Sequence, residues 1–354
     1  MSILRLFSAL CVLPALFSGV EAGGFIDKEF EEAKSALIEG QNSSTSIVHA
    51  YRCFSFRSQL GSPARVDQTF HTLLKSKSLH PLLRDHIEWF LAGIDQGRGD
   101  IRSAQARCNR LGLIRDWCIV GPFDNEGKLG FEKEYPPEKS QNFKATYQGK
   151  ERKISWRKFP DVNSLGYQNF EAVLRPNLLV CAFAFAAVEC KKYQVAAVRV
   201  GSDDAVKVWV NGALVIANAA YRPAGFDQDA AGIILRKGVN RILVKVCQKE
   251  GGWGFRLRLT GTSGGPLSGI RIISADKLMK MPPRDPKVAF AEKIKIDNPL
   301  AELKLRAEQQ TDSAEVHRQF GYLIEATRAG DEDQKLYRKE YRRAVELDPT
   351  DVQT

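Results

Sequence analysis

The chain has 354 residues, 44% hydrophobic and 27% charged, a balance that excludes general disorder and leaves room for two or three domains, each able to bury a core. Its 52 Lys and Arg against 42 Asp and Glu give a formal charge of +10, which favours anionic surfaces only through weak net attraction. No Lys/Arg block comparable to a nucleic-acid-binding arm appears, so no nucleic-acid partner is expected.

In chain order, the first element is a leader. Arg5, an apolar run from Leu6 to Phe17 and small residues around Val20 and Ala22 have the layout of a secretory signal peptide spanning residues 1–22. The run is shorter than the roughly 20 apolar residues of a membrane span and Pro14 interrupts it. An exported protein, periplasmic or secreted and not transmembrane after cleavage, is the expectation. Beyond the leader, Cys53, Cys108, Cys118, Cys181, Cys190 and Cys247 could form disulfides in an oxidising compartment, with the pairing left open. None has CxxC spacing, so no zinc site is expected. Cys181, Cys190 and Cys247 sit in apolar runs and read as buried thiols.

From residue 25 to 114 apolar residues recur at helical spacing, as in Phe30, Ala33, Leu37 and again in Ile87, Phe90, Leu91, Ile94. Breaks at Gly40, at Gly61-Ser62-Pro63, at Pro81 and at Gly97 divide the stretch into stacked helical hairpins. From 115 to 275 β-branched and aromatic runs alternate with Gly/Asn turns: Ile154 to Phe159, Leu178 to Val188, Gln194 to Val200, Ala205 to Val210, Ala213 to Ala217, Gly232 to Leu235, Asn240 to Cys247 and Trp253 to Leu259. Strands of this length without intervening helices predict an antiparallel β-sandwich. A proline-rich linker occupies residues 276–286, and helical periodicity returns over 287–354. The expected class is therefore multidomain α+β, an antiparallel jelly-roll sandwich between two α-helical repeat segments.

The last segment resembles a tetratricopeptide repeat: Phe320, Gly321 and Ile324 fit the packing positions of its first helix, and Tyr341, Ala344 and Pro349 those of its second. Tyr337 departs from the small residue usual there, and the loop from Gly330 to Gln334 is long. The resemblance implies a protein partner held by the helical repeats.

Within the β region, GSDDAVKVWVNGALVIAN (Gly201 to Asn218) sets two aspartates before an alternating strand that ends in an Asn-Gly hairpin turn. A hydrolase using Asp203 and Asp204 would need both carboxylates at one bond, yet neighbours on an extended chain point to opposite sides, and glycosidase carboxylates stand at least about 5 Å apart. No GxSxG elbow and no cysteine with an adjacent base accompanies them, so no catalytic residue is assigned and no enzyme is expected. A structural calcium could use Asp203, Asp204, Asp227 and Asp229 if they converge from two loops; no other cofactor is expected. The plainer reading is turn punctuation through side-chain to backbone bonds.

Ser202-Asp203-Asp204, the turn at Val210 to Gly212, Leu235 with Gly238 and Asn240, and Gly252-Trp253-Gly254-Phe255 make the stretch from about Trp117 to Leu259 resemble the galactose-binding-like jelly roll that accompanies many glycoside hydrolases. Ala205 follows the aspartates where a glycine is common in the calcium-binding lectin subtype. The resemblance implies a glycan ligand held by loops that vary across the family; the candidate contacts in this chain are Trp209 and Trp253 as stacking platforms, with Asn211, Arg222, Asp227 and Asp229 as hydrogen-bonding partners. The order of leader, helical hairpins, β domain and repeats also resembles the N-terminal part of large exported bacterial proteins, some of which carry a C-terminal transglutaminase-like domain. The leading expectation is an exported, non-enzymatic recognition or scaffold protein that binds carbohydrate or an envelope component through the sandwich and protein through the repeats. The alternative is the front of a larger enzyme or the Asp203/Asp204 hydrolase.

Overall fold

The computed structural model describes residues 19–160, 165–282, 293–327 and 330–350. Residues 1–18 of the expected leader and 283–286 of the expected linker lie outside the described residues.

The chain opens with α1 (Gly19–Glu39), α2 (Ile47–Ser55), α3 (Ala64–Leu73), α4 (Pro81–Gly97) and α5 (Ile101–Asn109). Local chemistry sets these boundaries. Pro81 stands in the first turn of α4, where its missing N–H costs nothing, and the His80 ring accepts from the Leu82 amide at 3.2 Å. The Asp100 carboxylate caps α5 by accepting from the Ser103 amide at 3.0 Å. Leu82, Leu83, Ile87, Phe90, Leu91 and Ile94 form the buried stripe of α4.

The β region follows with β1 (Cys118–Asp124), α6 (Pro136–Lys139), β2 (Thr146–Gln148), β3 (Lys153–Ser155), β4 (Arg157–Lys158), β5 (Gln168–Asn169), α7 (Phe170–Val173), β6 (Val180–Cys190), β7 (Gln194–Asp203), β8 (Ala205–Val210) and β9 (Ala213–Asn218). It continues through β10 (Asp229–Leu235), β11 (Gly238–Gln248), β12 (Gly254–Gly261), β13 (Gly264–Pro266), β14 (Ile270–Ile273) and α8 (Ala275–Leu278). One sheet runs β4-β1-β6-β11-β8-β9 with β14 also on β6, and a second runs β10-β7-β12-β13 with β5 on β12. All these pairings are antiparallel, and the protein is α+β.

Side-chain alternation explains how the sheets meet. Ala182, Ala184, Ala186 and Val188 of β6 share one apolar cluster with Val198 and Val200 of β7 and Leu257 and Leu259 of β12, so the two sheets enclose a common core. The intervening Cys181, Phe183, Phe185 and Ala187 enter a separate cluster on the other face of β6, with Phe123, Phe131, Tyr135, Trp156 and, from α8, Ala275 and Leu278. Burial on both faces is why this strand reads as a continuous apolar run. It also makes α8, at the start of the expected linker, part of the packed layer.

The chain ends with α9 (Pro299–Gln309), α10 (Ala314–Thr327) and α11 (Asp331–Leu347). The sequence divides the helices into two segments either side of the β region. In the structure Leu303, Phe320, Leu323 and Ile324 join Phe30, Phe70, Leu83 and Phe90 in one cluster, so the two segments share a core. Ser44 Oγ donates to Glu302 at 2.9 Å and Tyr322 Oη to Ser55 Oγ at 3.3 Å across the same junction. Helical periodicity shows that each helix has an apolar face but not which other helix covers it.

Candidate functional site

The aspartate pair lies where the chain crosses between sheets: β7 ends at Asp203 in the second sheet and β8 begins at Ala205 in the first. The peptide bond joining the two residues is cis. Asp204 is buried and its two carboxylate oxygens accept from the backbone amides of Arg222 and Lys249, each at 3.0 Å. It thus ties the β9–β10 and β11–β12 connections to the crossing point through bonds to distant parts of the chain rather than within a local turn. Asp203 is half-buried opposite Gly254. Burial, reinforced by the charges of Asp204 and Glu171, pushes its carboxyl up to about 8.

The hairpin forms at Asn211 and Gly212, which take φ values of 52° and 88° as a tight two-residue turn requires. Asn211 is occupied by that turn: its Nδ2 donates to Asn240 Oδ1 at 2.8 Å and its Oδ1 accepts from the Arg241 amide at 2.9 Å.

The four aspartates proposed as calcium ligands are not brought together. Asp229 accepts from Asn218 Nδ2 and from the Arg222 guanidinium, which occupies the space beside it. Asp227 faces elsewhere, receiving Arg258 Nε at 2.9 Å and Nη2 at 2.6 Å. Among the described residues no group of three or more His, Cys, Asp or Glu side chains is placed to hold a metal ion. The stacking platforms also need correction. Trp253 is fully buried in the inter-sheet core, edge-on to Phe170 at 5.2 Å, with Nε1 donating to Val246 O at 3.3 Å. Trp209 is half-buried against the cluster on the outer face of the first sheet. Arg222 is buried against Asp229. Trp209, Asn211, Arg222 and Trp253 therefore share no open surface.

Alternation along β7 and β12 sends Arg199, Arg256 and Arg258 to the outer face of the second sheet, where a sandwich normally meets water. Here helices cover that face. Arg258 holds Asp227 in a fork and reaches Asp85 of α4 at 2.7 Å, while Asp85 also accepts from the Gly265 amide at 2.8 Å. Burial opposes ionisation of Asp227, but the adjoining Arg258 and His86 overcome it and hold that carboxyl well below the usual range. The Arg258 guanidinium stacks 4.7 Å from the Phe226 ring, which in turn stacks on Trp89 of α4 at 4.7 Å. Arg256 lies 4.8 Å from the Trp89 ring and donates to Gly225 O at 2.9 Å. Arg199 donates to the carbonyl of Asp297 at 2.9 Å. The network joins helices and sheet. Within it His86 Nδ1 and Arg256 Nε are buried without a hydrogen-bond partner.

No family model matches the chain, and no curated protein matches it. Among solved structures it is similar to a family 35 carbohydrate binding module from an environmental isolate, at 16% identity and a TM-score of 0.20, over 28% of this chain and 74% of that one. It is also similar to a beta-glucosidase from Kluyveromyces marxianus solved with glucose, at 12% identity and a TM-score of 0.27, over 54% of this chain and 18% of that one. A glycosyl hydrolase family 2 member from Bacteroides cellulosilyticus gives 14% identity and a TM-score of 0.27, over 42% of this chain and 20% of that one. The chain spans about a fifth of each of the two hydrolases. Likeness at these scores carries no argument about ligand or reaction.

Among the described residues an open groove of about 530 Å³ lies between α9, α10 and α11. Phe320 forms part of its floor; Lys304, Lys339 and Arg342 line it as exposed cations. His317 is buried, with Nδ1 2.6 Å from Glu340 Oε2 and Nε2 without a protein partner. With Nδ1–H donating to Glu340, Nε2 accepts a hydrogen bond when the ring is neutral and donates one when it is protonated. The sequence resemblance pointed to this segment but not to these residues. The repeat of cations along KLYRKEYRRAVEL was the signal that could have found Lys339 and Arg342.

Proposed function

We propose that the chain is an exported, non-enzymatic recognition protein in which a galactose-binding-like jelly roll acts as a rigid frame and the helical groove docks an acidic peptide segment of a partner protein. The observation that carries this reading is the groove itself: an apolar floor at Phe320, a rim in which Lys304, Lys339, Arg342 and Arg343 outnumber the exposed Glu308 and Glu346, and a buried imidazole nitrogen that lacks a partner. An extended acidic segment would place carboxylates against the cations and offer a hydrogen bond to His317. Covered sheet faces support the framing role. One carries the layer with Phe131, Tyr135 and Trp156, and the other lies under Asp85, His86 and Trp89 of α4.

Export rests on the leader-like residues 1–22. The non-enzymatic reading is supported by the commitment of Asp204 to two backbone amides, which removes one carboxylate from the hydrolase scheme. A glycan would need residues other than the set centred on Trp253.

Fluorescence anisotropy with a labelled Glu/Asp-rich peptide tests the proposal. Binding should weaken steeply with salt, and Lys339→Glu with Arg342→Glu should reduce affinity at least about tenfold, the effect of some 1.4 kcal/mol. Equal binding of a Lys-rich peptide, or no loss in the double variant, would sink it.

A further inference from the structure

Cys181 and Cys247 are directly opposed residues on the antiparallel pair β6 and β11. Both side chains project into the same cluster on the outer face of the first sheet, where both residues are fully buried. Opposed residues in an antiparallel pair have Cα atoms about 4.5 or 5.5 Å apart, inside the range of about 4.4–6.8 Å that a disulfide accepts. We propose that Cys181 and Cys247 are an oxidation site that closes to a cross-strand disulfide during folding in an oxidising environment. This pairing follows from strand register and does not depend on the peptide-docking reading.

The other described cysteines have no such partner. Cys118 shares the cluster, but β1 pairs it with Phe185, four residues along β6 from Cys181, about 13 Å at ~3.3 Å per residue. Cys190 lies in the inter-sheet core on the opposite face, while Cys53 and Cys108 belong to helical clusters. All six are buried thiols in the structure as described.

Burial limits when the reaction can occur. Both thiols are inaccessible once the outer layer is in place, so the bond must form before residues around Tyr135 close over β6. A small-molecule or protein disulfide is the oxidant. One thiolate attacks it, forms a mixed disulfide and releases a first thiol. The second cysteine then attacks the mixed disulfide, forms the Cys181–Cys247 bond and releases a second thiol. The chain loses two electrons and two protons, and the oxidant is reduced to two thiols. The loop so closed contains β7, β8, β9 and β10, and cross-linking a loop of that length stabilises the chain by restricting its unfolded state.

The full chain should be refolded from denaturant in a buffer of reduced and oxidised glutathione, then denatured, alkylated and mapped by mass spectrometry. The expected product has two fewer alkylated cysteines than the reduced control, and one linked peptide pair that contains Cys181 and Cys247. Its Tm should exceed that of the reduced protein by about 5 °C or more, a difference that reduction removes. Cys247→Ala should leave Cys181 alkylated under the same conditions. Full alkylation of the refolded wild-type chain, or a linkage through Cys53, Cys108, Cys118 or Cys190 instead, overturns the assignment, and neither reading requires the variant to fold.

Discussion

Replacing Asp203 with asparagine isolates the cost of placing a carboxylate at the crossing between the sheets. Asp203 lies half-buried opposite Gly254, and a Cβ on Gly252 would stand 2.5 Å from its Oδ2, so backbone rather than water lies on that side. Burial first, then the charges of Asp204 and Glu171, carry its pKa from an ordinary 3.8 to about 8. Between those values the unfolded chain has released a proton that the folded chain retains, so stability is fully present below about pH 4 and falls as pH rises towards 8. The whole displacement corresponds to ~5–6 kcal/mol at ~1.36 kcal/mol per pKa unit. Screening at a group that still touches solvent reduces this to about 2–3 kcal/mol. Asparagine keeps the shape and carries no charge. Asp203→Asn should therefore raise the free energy of unfolding by about 2 kcal/mol at pH 7 and change it by less than about 0.5 kcal/mol at pH 4. Urea unfolding at both pH values, with m unchanged, measures the difference. Equal effects at the two pH values, or destabilisation at pH 7, would refute the argument that burial of the charge dominates.

Arg258→Met leaves Asp85 and Asp227 buried without the guanidinium that bonds both, and should cost about 3–5 kcal/mol in urea unfolding; combining it with Asp227→Asn should recover part of the loss, and strict additivity would show that the two do not interact. Asp227 also predicts an acid limb. Its folded pKa is depressed, so the stability it contributes is present above the ordinary carboxylate value and is lost as pH falls below about 4; Asp227→Asn should flatten that limb of a Tm-against-pH curve. Trp253→Ala should behave as a core truncation, costing about 3–5 kcal/mol. A variant that kept wild-type Tm would return Trp253 to the list of surface residues.

The sequence makes local geometry legible and leaves long-range pairing obscure. The hairpin from Ala205 to Asn218 follows from alternation and from the Asn-Gly turn, because both act over a few residues. The helical stripes of α4 and α10 are legible for the same reason. Asp203 and Asp204 are readable as punctuation, but the amides that Asp204 accepts belong to Arg222 and Lys249, far along the chain. Trp253 follows a Gly-Gly pair and looks like a loop-tip aromatic; its burial is decided by the facing Phe170, which no periodicity reports. Asp227 and Asp229 are two residues apart, yet one turns to Arg258 and the other to Arg222, so proximity in sequence misstates their shared use. For Arg199, Arg256 and Arg258 an outward position on a strand was legible and their burial was not, since the cover is a helix more than 100 residues away in the case of Asp85.

That cover bears on where recognition can occur. Three guanidiniums on one sheet face are expensive to desolvate unless each is paired, and here Asp85, Asp227, Trp89, Phe226 and backbone carbonyls supply the pairing from outside the sheet. The sheet face is covered by α4, and separating the helices from the sheet would leave these charges unpaired. Helices and sheets therefore stabilise each other as one structure, and a partner that bound by displacing α4 would have to replace the whole network. The groove at α9, α10 and α11 asks for no such exchange. Its cations are already exposed, and His317 Nε2 has no bond to lose. The acidic segment proposed above would bind there with the desolvation of Lys304, Lys339 and Arg342 as its main cost, which acidic side chains are suited to offset.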